Sequence, residues 1–280
     1  LSKKINVKNF KDNFFVEGGF KNKDLKINKN IIKKFVSSSF PKINIENMSF
    51  KSDNKFSFYL NKKFTINKFK ISSKIELNDL LIMNELKLKK FLPNIKDEIK
   101  FSNHVIKIDY SEKKLIIKGE GGILLQDKND LLFYEIIKLK DLYEFKTSLN
   151  ILENPLTIDF LNYKNDKDKK IIKLAGKHST NKSTTFNYIS LNQDANKIRI
   201  DDIKINKNFK VQGFKKAVLN FYDKENKENK ISITKKNNSY FLSGSSFNAN
   251  SFLDNFLNEN NEGSNSFFSN DLNLSIKIDN

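Results

Sequence analysis

Val105-Ile106-Lys107-Ile108-Asp109-Tyr110, then Ser111-Glu112-Lys113-Lys114, then Leu115-Ile116-Ile117 is the stretch that decides the fold. Successive side chains of an extended strand point to opposite faces, so Ile106, Ile108 and Tyr110 share one side while Lys107 and Asp109 share the other. Four polar residues follow, and Leu115 and Ile117 resume the apolar side. A parallel crossover needs about a dozen residues or more, so a link this short joins antiparallel neighbours.

The same period of two extends in both directions. It recurs at Phe56, Phe58 and Leu60, at Phe64 and Ile66, at Ile75 and Leu77, and at Phe145, Thr147, Leu149 and Ile151. Further on come Ile198 and Ile200, Ile203 and Ile205, Phe209 and Val211, and Ile231 and Ile233. The chain ends with Leu272, Leu274, Ile276 and Ile278 alternating with Asn273, Ser275 and Lys277. These runs imply about 16 to 20 strands. Open twisted sheets rarely exceed ~10 strands without curling or splitting, which leaves a sandwich, a barrel or a long trough. In a trough, about 18 strands at ~4.8 Å spacing would reach on the order of 85 Å.

Two stretches carry apolar pairs at helical spacing: Ile31, Ile32, Phe35 and Val36, and Phe252, Leu253, Phe256 and Leu257. Each predicts a short amphipathic helix, the second with Asn250 or Ser251 as N-cap. Polar links at 164–170, 179–185, 223–230 and 258–266 read as exposed loops. The expected fold is mainly β: a long antiparallel meander curled into an open groove, with one or two short helices. Residues 1–280 read as a single continuous segment, and a start at Leu1 and a stop at Asn280 suggest a piece of something longer.

Composition narrows the partners. Hydrophobic residues make up 38% of the chain, enough for a sheet with one apolar face. The net charge of +18 raises nucleic acid or an anionic membrane as partners, but Arg199 is the one arginine, and arginine is the better bidentate partner for phosphate and guanine. Lys, Asn, Ile and Phe are favoured by AT-rich codons, so a solvated lysine face is the plainer reading and no nucleic acid is expected. The absence of Cys removes disulfides and thiolate metal sites, and no apolar run reaches the ~18 to 20 residues that span a bilayer.

Chemistry is thin. His104 and His178 are the two histidines, and neither has a second ligand-type residue at metal spacing. His104 reads as preceding the strand of Ile106, and His178 as opening a polar loop. No nucleophile elbow, phosphate loop or dinucleotide fingerprint occurs, and Gly119, Gly121 and Gly122 read as a turn or bulge. Asp127 with Asp130, and Asp201 with Asp202, lack a calcium-loop pattern. No catalytic residue, metal or cofactor is expected. The 26 phenylalanines and eight tyrosines read as packing on the apolar side.

Two stretches carry a resemblance. Leu88-Lys89-Lys90-Phe91-Leu92-Pro93 with the hairpin from Val105 to Leu125 is one. Leu242-Ser243-Gly244-Ser245-Ser246-Phe247-Asn248-Ala249, with Phe252-Leu253 and the last strand from Asp271 to Asp279, is the other. Together they resemble AsmA-like envelope proteins of the YhdP and TamB bridge-like lipid-transfer type, in which a Gly-x-x-Phe-Asp-Ala-like stretch leads into a short helix. Here Asn248 stands where that pattern has Asp.

The resemblance implies the periplasmic part of a large inner-membrane-anchored protein of a Gram-negative bacterium, whose apolar β groove carries phospholipid between the inner and outer membranes without catalysis. Acyl chains would be the ligand, and both membranes would be met through other parts of the parent. The candidate lining is Phe56, Phe58 and Leu60; Ile75 and Leu77; Ile106, Ile108 and Tyr110 with Leu115 and Ile117; Leu149; Ile198 and Ile200; Ile231 and Ile233; and Leu272, Leu274 and Ile276. The alternative is a structural or adhesive envelope β module in which the same face is a sealed core.

Overall fold

A computed structural model describes residues 2–10, 13–28, 45–84, 88–166, 168–179, 184–206, 211–237, 239–250 and 273–278. The fold is mainly β, with eighteen strands among these residues, most of them in an antiparallel meander, and one 3-10 turn at Asp159–Leu161. The two stretches expected to be helical, at 31–36 and 252–257, lie outside the described residues, as do Phe209 and Leu272. The chain divides into two compact units.

The first unit comprises 1–86, 96–125 and 129–143. Its strands are β1 (Ser2–Phe10), β2 (Asn13–Asn28), β3 (Ile45–Asn61), β4 (Ile66–Met83), β5 (Glu98–Ser111), β6 (Lys114–Leu124) and β7 (Asn129–Leu139). Each pairs antiparallel with the next in sequence order. Several are long, up to the 18 residues of β4, and they bend at bulges rather than running flat. Asp24, Lys68 and Asn103 hold left-handed φ values of 49°, 50° and 48° inside β2, β4 and β5. Asn and Asp tolerate that conformation better than other residues with a side chain, so they serve as kink residues inside strands.

A kink also switches which parity faces inward. In β5, Ile99 and Phe101 give way to His104, Ile106, Ile108 and Tyr110 as the sheltered set, with the register shift between Ser102 and Val105. Gly121 lies opposite this bulge, inside β6, so the glycine cluster belongs to a bulged pair and is no turn.

The second unit comprises 87–95, 126–128 and 144–280. It holds β8 (Leu142–Ile151), the small hairpin β9 (Leu156–Ile158) with β10 (Tyr163–Asn165), and β11 (Lys170–Ser179), β12 (Thr184–Gln193) and β13 (Asn196–Ile205). Next come the short β14 (Val211–Gly213), then β15 (Lys216–Tyr222), β16 (Glu228–Lys236), β17 (Ser239–Ser246) and β18 (Asn273–Ile278). From β11 to β17 the pairing is antiparallel, while β18 runs parallel to β17, a departure from the pure meander. In β13 the buried positions move from Ile198 to Ile203 across Asp202, at φ 52°, so two apparent strands are one kinked strand.

Some polar links are not exposed loops. Lys170, Asp223 and Asn229 are buried. Burying them requires partners, and the partners are present. The Lys170 ammonium donates to the Asn154 carbonyl at 2.8 Å and to Asn165 Oδ1 at 2.7 Å. Asp223 Oδ1 accepts the Glu225 and Lys227 amides, both at 2.9 Å.

Candidate functional site

In the first unit, register brings the expected lining together. Phe56 stands opposite Ile71, Ile71 opposite Tyr110, and Tyr110 opposite Leu115, a row across four strands. The adjoining rows run Ile108 to Ile117 to Ile136, and Ile75 to Ile106 to Gly119 to Tyr134. Leu77 stands opposite His104. Phe58 joins through its ring, 6.2 Å from Phe56 and 6.5 Å from Phe69, which lies 6.0 Å from Tyr110. Leu60 stands between Phe14 and Ile66 at the far end of the same side. Most of these groups are half-buried; Leu77 and His104 are buried, while Phe14, Ile66 and Phe69 are exposed.

The opposite face is mostly polar on β4 and β5, while β6 and β7 also place Ile116 opposite Ile137 and Glu120 opposite Phe133 there. Lys74, Lys107 and Lys118 stand opposite one another on β4, β5 and β6. Like charges in directly opposed positions repel, and two of the three are neutralised locally: Lys74 reaches Glu76 at 2.6 Å and Lys118 reaches Glu135 at 2.9 Å. The pairing of Lys74 and Glu76 raises the ammonium's pKa and lowers the carboxyl's, the side-chain hydrogen bond being the main cause. Both groups are exposed, so the pair adds little to stability.

The lining is not apolar throughout. Asn22 stands opposite Ser52, and Asn54 opposite Ser73, on the sheltered side of β2 to β4. Asn54 Nδ2 donates to Ser52 Oγ at 2.7 Å and to the Phe20 carbonyl at 3.2 Å; Asn22 Nδ2 donates to the Phe50 carbonyl at 3.1 Å and its Oδ1 accepts from Ser52 Oγ. This satisfied polar belt borders the aliphatic rows of β4 to β6. Period-two reading over apolar residues passes over it, because Ser and Asn register as breaks in the pattern.

His104 is the second group the sequence reading missed. It lies within β5, 1% exposed, between Phe101 (ring centroids 5.4 Å, edge-on) and Tyr134 (5.6 Å, stacked). Neither ring nitrogen has a hydrogen-bond partner among the described residues. Burial pushes its pKa down; the nearby Gly122 backbone and Glu120 carboxylate act the other way without outweighing it. Burial also lifts the Tyr134 phenol to about 12. His178 lies near the end of β11, its Nδ1 2.9 Å from Thr184 Oγ1.

In the second unit, Ile198 and Ile200 on β13 and Ile231 and Ile233 on β16 fall in two rows. One runs Ile172, Leu191, Ile198, Leu219, Ile231, Gly244; the other Leu174, Ile189, Ile200, Ala217, Ile233, Leu242. Register sets Ile276 opposite Leu242 and Leu274 opposite Tyr240. Leu191, Ile198, Leu219, Ile231 and Leu242 are buried, at 3–6% exposure, while Ile172, Leu174, Ile189, Ile200 and Ile233 are half-buried. Leu149 is half-buried in β8.

One end of these rows is covered by the β9–β10 hairpin. The Tyr163 ring packs edge-on to Phe221 at 6.1 Å, and its hydroxyl donates to Gln193 Oε1 at 2.5 Å. The chain's arginine is engaged on the other face, 2.8 Å from Asp201 and over the Tyr188 ring at 4.4 Å. Among the described residues no group of three or more His, Asp or Glu converges as a metal site would require. Comparison of the chain with protein-family models, curated proteins and solved structures finds no match.

Proposed function

We propose that the aliphatic rows of β4 to β6 hold the acyl chain of a phospholipid, and that the chain is a groove segment of an AsmA-like carrier that moves phospholipid between inner and outer membranes. The observation that carries this reading is the uninterrupted register of Ile71–Tyr110–Leu115 and Ile108–Ile117–Ile136, half-buried, with the row Lys74–Lys107–Lys118 on the reverse. A tail laid on such rows gains about 0.8 kcal/mol per CH₂ removed from water while its headgroup stays wet. No bond is made or broken in such carriage, so no nucleophile or general acid is required. The polar belt of Asn22, Ser52, Asn54 and Ser73 borders these rows as a polar step beside the aliphatic surface.

A second reading, a structural or adhesive β module, is favoured by the second unit, where Leu191, Ile198, Leu219 and Ile231 are sealed. Extraction and mass spectrometry of the purified chain separates the two. Carriage predicts co-bound phospholipid that is lost when Ile106 and Ile108 become Lys; a lipid-free protein from repeated preparations would leave the structural reading.

A further inference from the structure

The polar face of the first unit holds a concavity of about 770 Å³, which the lipid reading leaves unused. Its floor is Gly19, directly opposite Lys4 on β1 and Lys55 on β3; the row continues to Ser72 and Asp109. The adjoining row brings Lys70, Ser111 and Lys114 into line. The glycine pair in β2 divides its work between the faces. Gly18 gives space to the Phe56 ring, 2.7 Å from where a Cβ would stand, whereas Gly19 leaves bare backbone between two lysines.

Positive charge gathers at this place. Lys74, Lys100 and Lys118 each reach a carboxylate, and Lys21 within the concavity reaches Asp53 at 2.6 Å. Among the described residues no ion pair engages Lys4, Lys55, Lys70 or Lys114, although all four line the concavity. The lining holds five lysines, Lys4, Lys21, Lys55, Lys70 and Lys114, against the three carboxylates of Glu17, Asp53 and Asp109, so positive charge is in excess and a bound anion relieves the repulsion among the ammonium groups.

We infer that this concavity binds a phosphate ester. Its volume is that of a small-molecule site. Lysine meets phosphate as a point charge without the planar fork of arginine, so the site selects for charge more than for shape. The Ser57, Ser72 and Ser111 hydroxyls supply neutral donors beside the lysines. The same chemistry is presented by an anionic phospholipid headgroup and by a soluble phosphate ester. The inference stands apart from the acyl-chain reading, which concerns the other face.

The test uses the full chain, titrated calorimetrically with glycerol phosphate and floated with phosphatidylglycerol or phosphatidylcholine vesicles. Lys4→Gln/Lys55→Gln/Lys70→Gln is compared with Lys173→Gln/Lys216→Gln/Lys230→Gln, an equal change of charge at exposed second-unit positions. The first triple is expected to weaken glycerol phosphate binding at least tenfold and the second less than threefold, with circular dichroism unchanged. Should the triple unfold, Lys55→Gln alone is expected to weaken binding about threefold. Flotation with phosphatidylglycerol alone, displaced by glycerol phosphate, assigns the site to headgroups; binding of glycerol phosphate without flotation assigns it to a soluble ester. No binding of either probe by the unaltered chain, or equal loss in both triples, overturns the inference.

Discussion

Asn248 donates its side-chain amide to Asp223 Oδ2 at 2.7 Å, while its own backbone N–H donates to Asn229 Oδ1 at 2.8 Å. Burial alone would raise the pKa of Asp223, but hydrogen bonds from Asn248, the Lys227 and Glu225 amides and Asn162 outweigh it and lower it. The position at which the AsmA-like pattern has Asp is thus one where a second carboxylate would face the first. Asn248→Asp is expected to cost about 1–3 kcal/mol at pH 7, as expected when a buried hydrogen bond becomes a like-charge contact. Asp223→Asn in the same chain should recover most of that loss. Urea unfolding of the two single variants and the double variant measures it.

His104 gives a pH dependence of definite sign. Its folded pKa lies below the ordinary 6.5, so the unfolded chain takes up the proton first as pH falls. Its contribution to stability is therefore full above about pH 6.5 and lost as pH falls from there toward the folded value. His104→Leu is expected to remove this component of the slope between pH 7 and 5, seen in thermal midpoints across that range. An unchanged slope in the variant would show that the ring is not held neutral.

Tyr134 covers Gly119 from the neighbouring strand, leaving no space for a Cβ. Gly119→Ala should therefore cost about 1–3 kcal/mol, in the range of overpacked cores. Gly19→Ala meets its nearest neighbour, the Asn54 carbonyl, only at 3.0 Å and should cost less. Denaturant midpoints of the two variants rank them.

Legibility followed the physics of alternation. Ile106, Ile108, Tyr110, Leu115 and Ile117 were readable because a strand with one wet face must alternate, and register then places them in rows. The kinks at Asp24, Asn103 and Asp202 were not readable, since a left-handed residue reverses parity without altering composition. Asn22, Ser52 and Asn54 were hidden for a related reason: sheltered polar groups find partners across strands, and no local pattern reports a partner 30 residues away. The buried Lys170 illustrates the same limit, as its composition says surface and its carbonyl partners say interior. How deeply each row member is buried, Ile198 at 6% exposure and Ile172 of the same row half-buried, depends on what lies over it, which alternation does not encode.

The claim that the aliphatic side of β5 and β6 contacts lipid is tested most directly by placing a photo-crosslinking amino acid at Ile108 or at Lys107, adjacent residues on opposite faces, the second outside the lysine-lined concavity. Illumination in cells followed by mass spectrometry is expected to yield a phospholipid adduct from position 108 and none from position 107. Equal labelling at both positions, or none at either, would contradict the account.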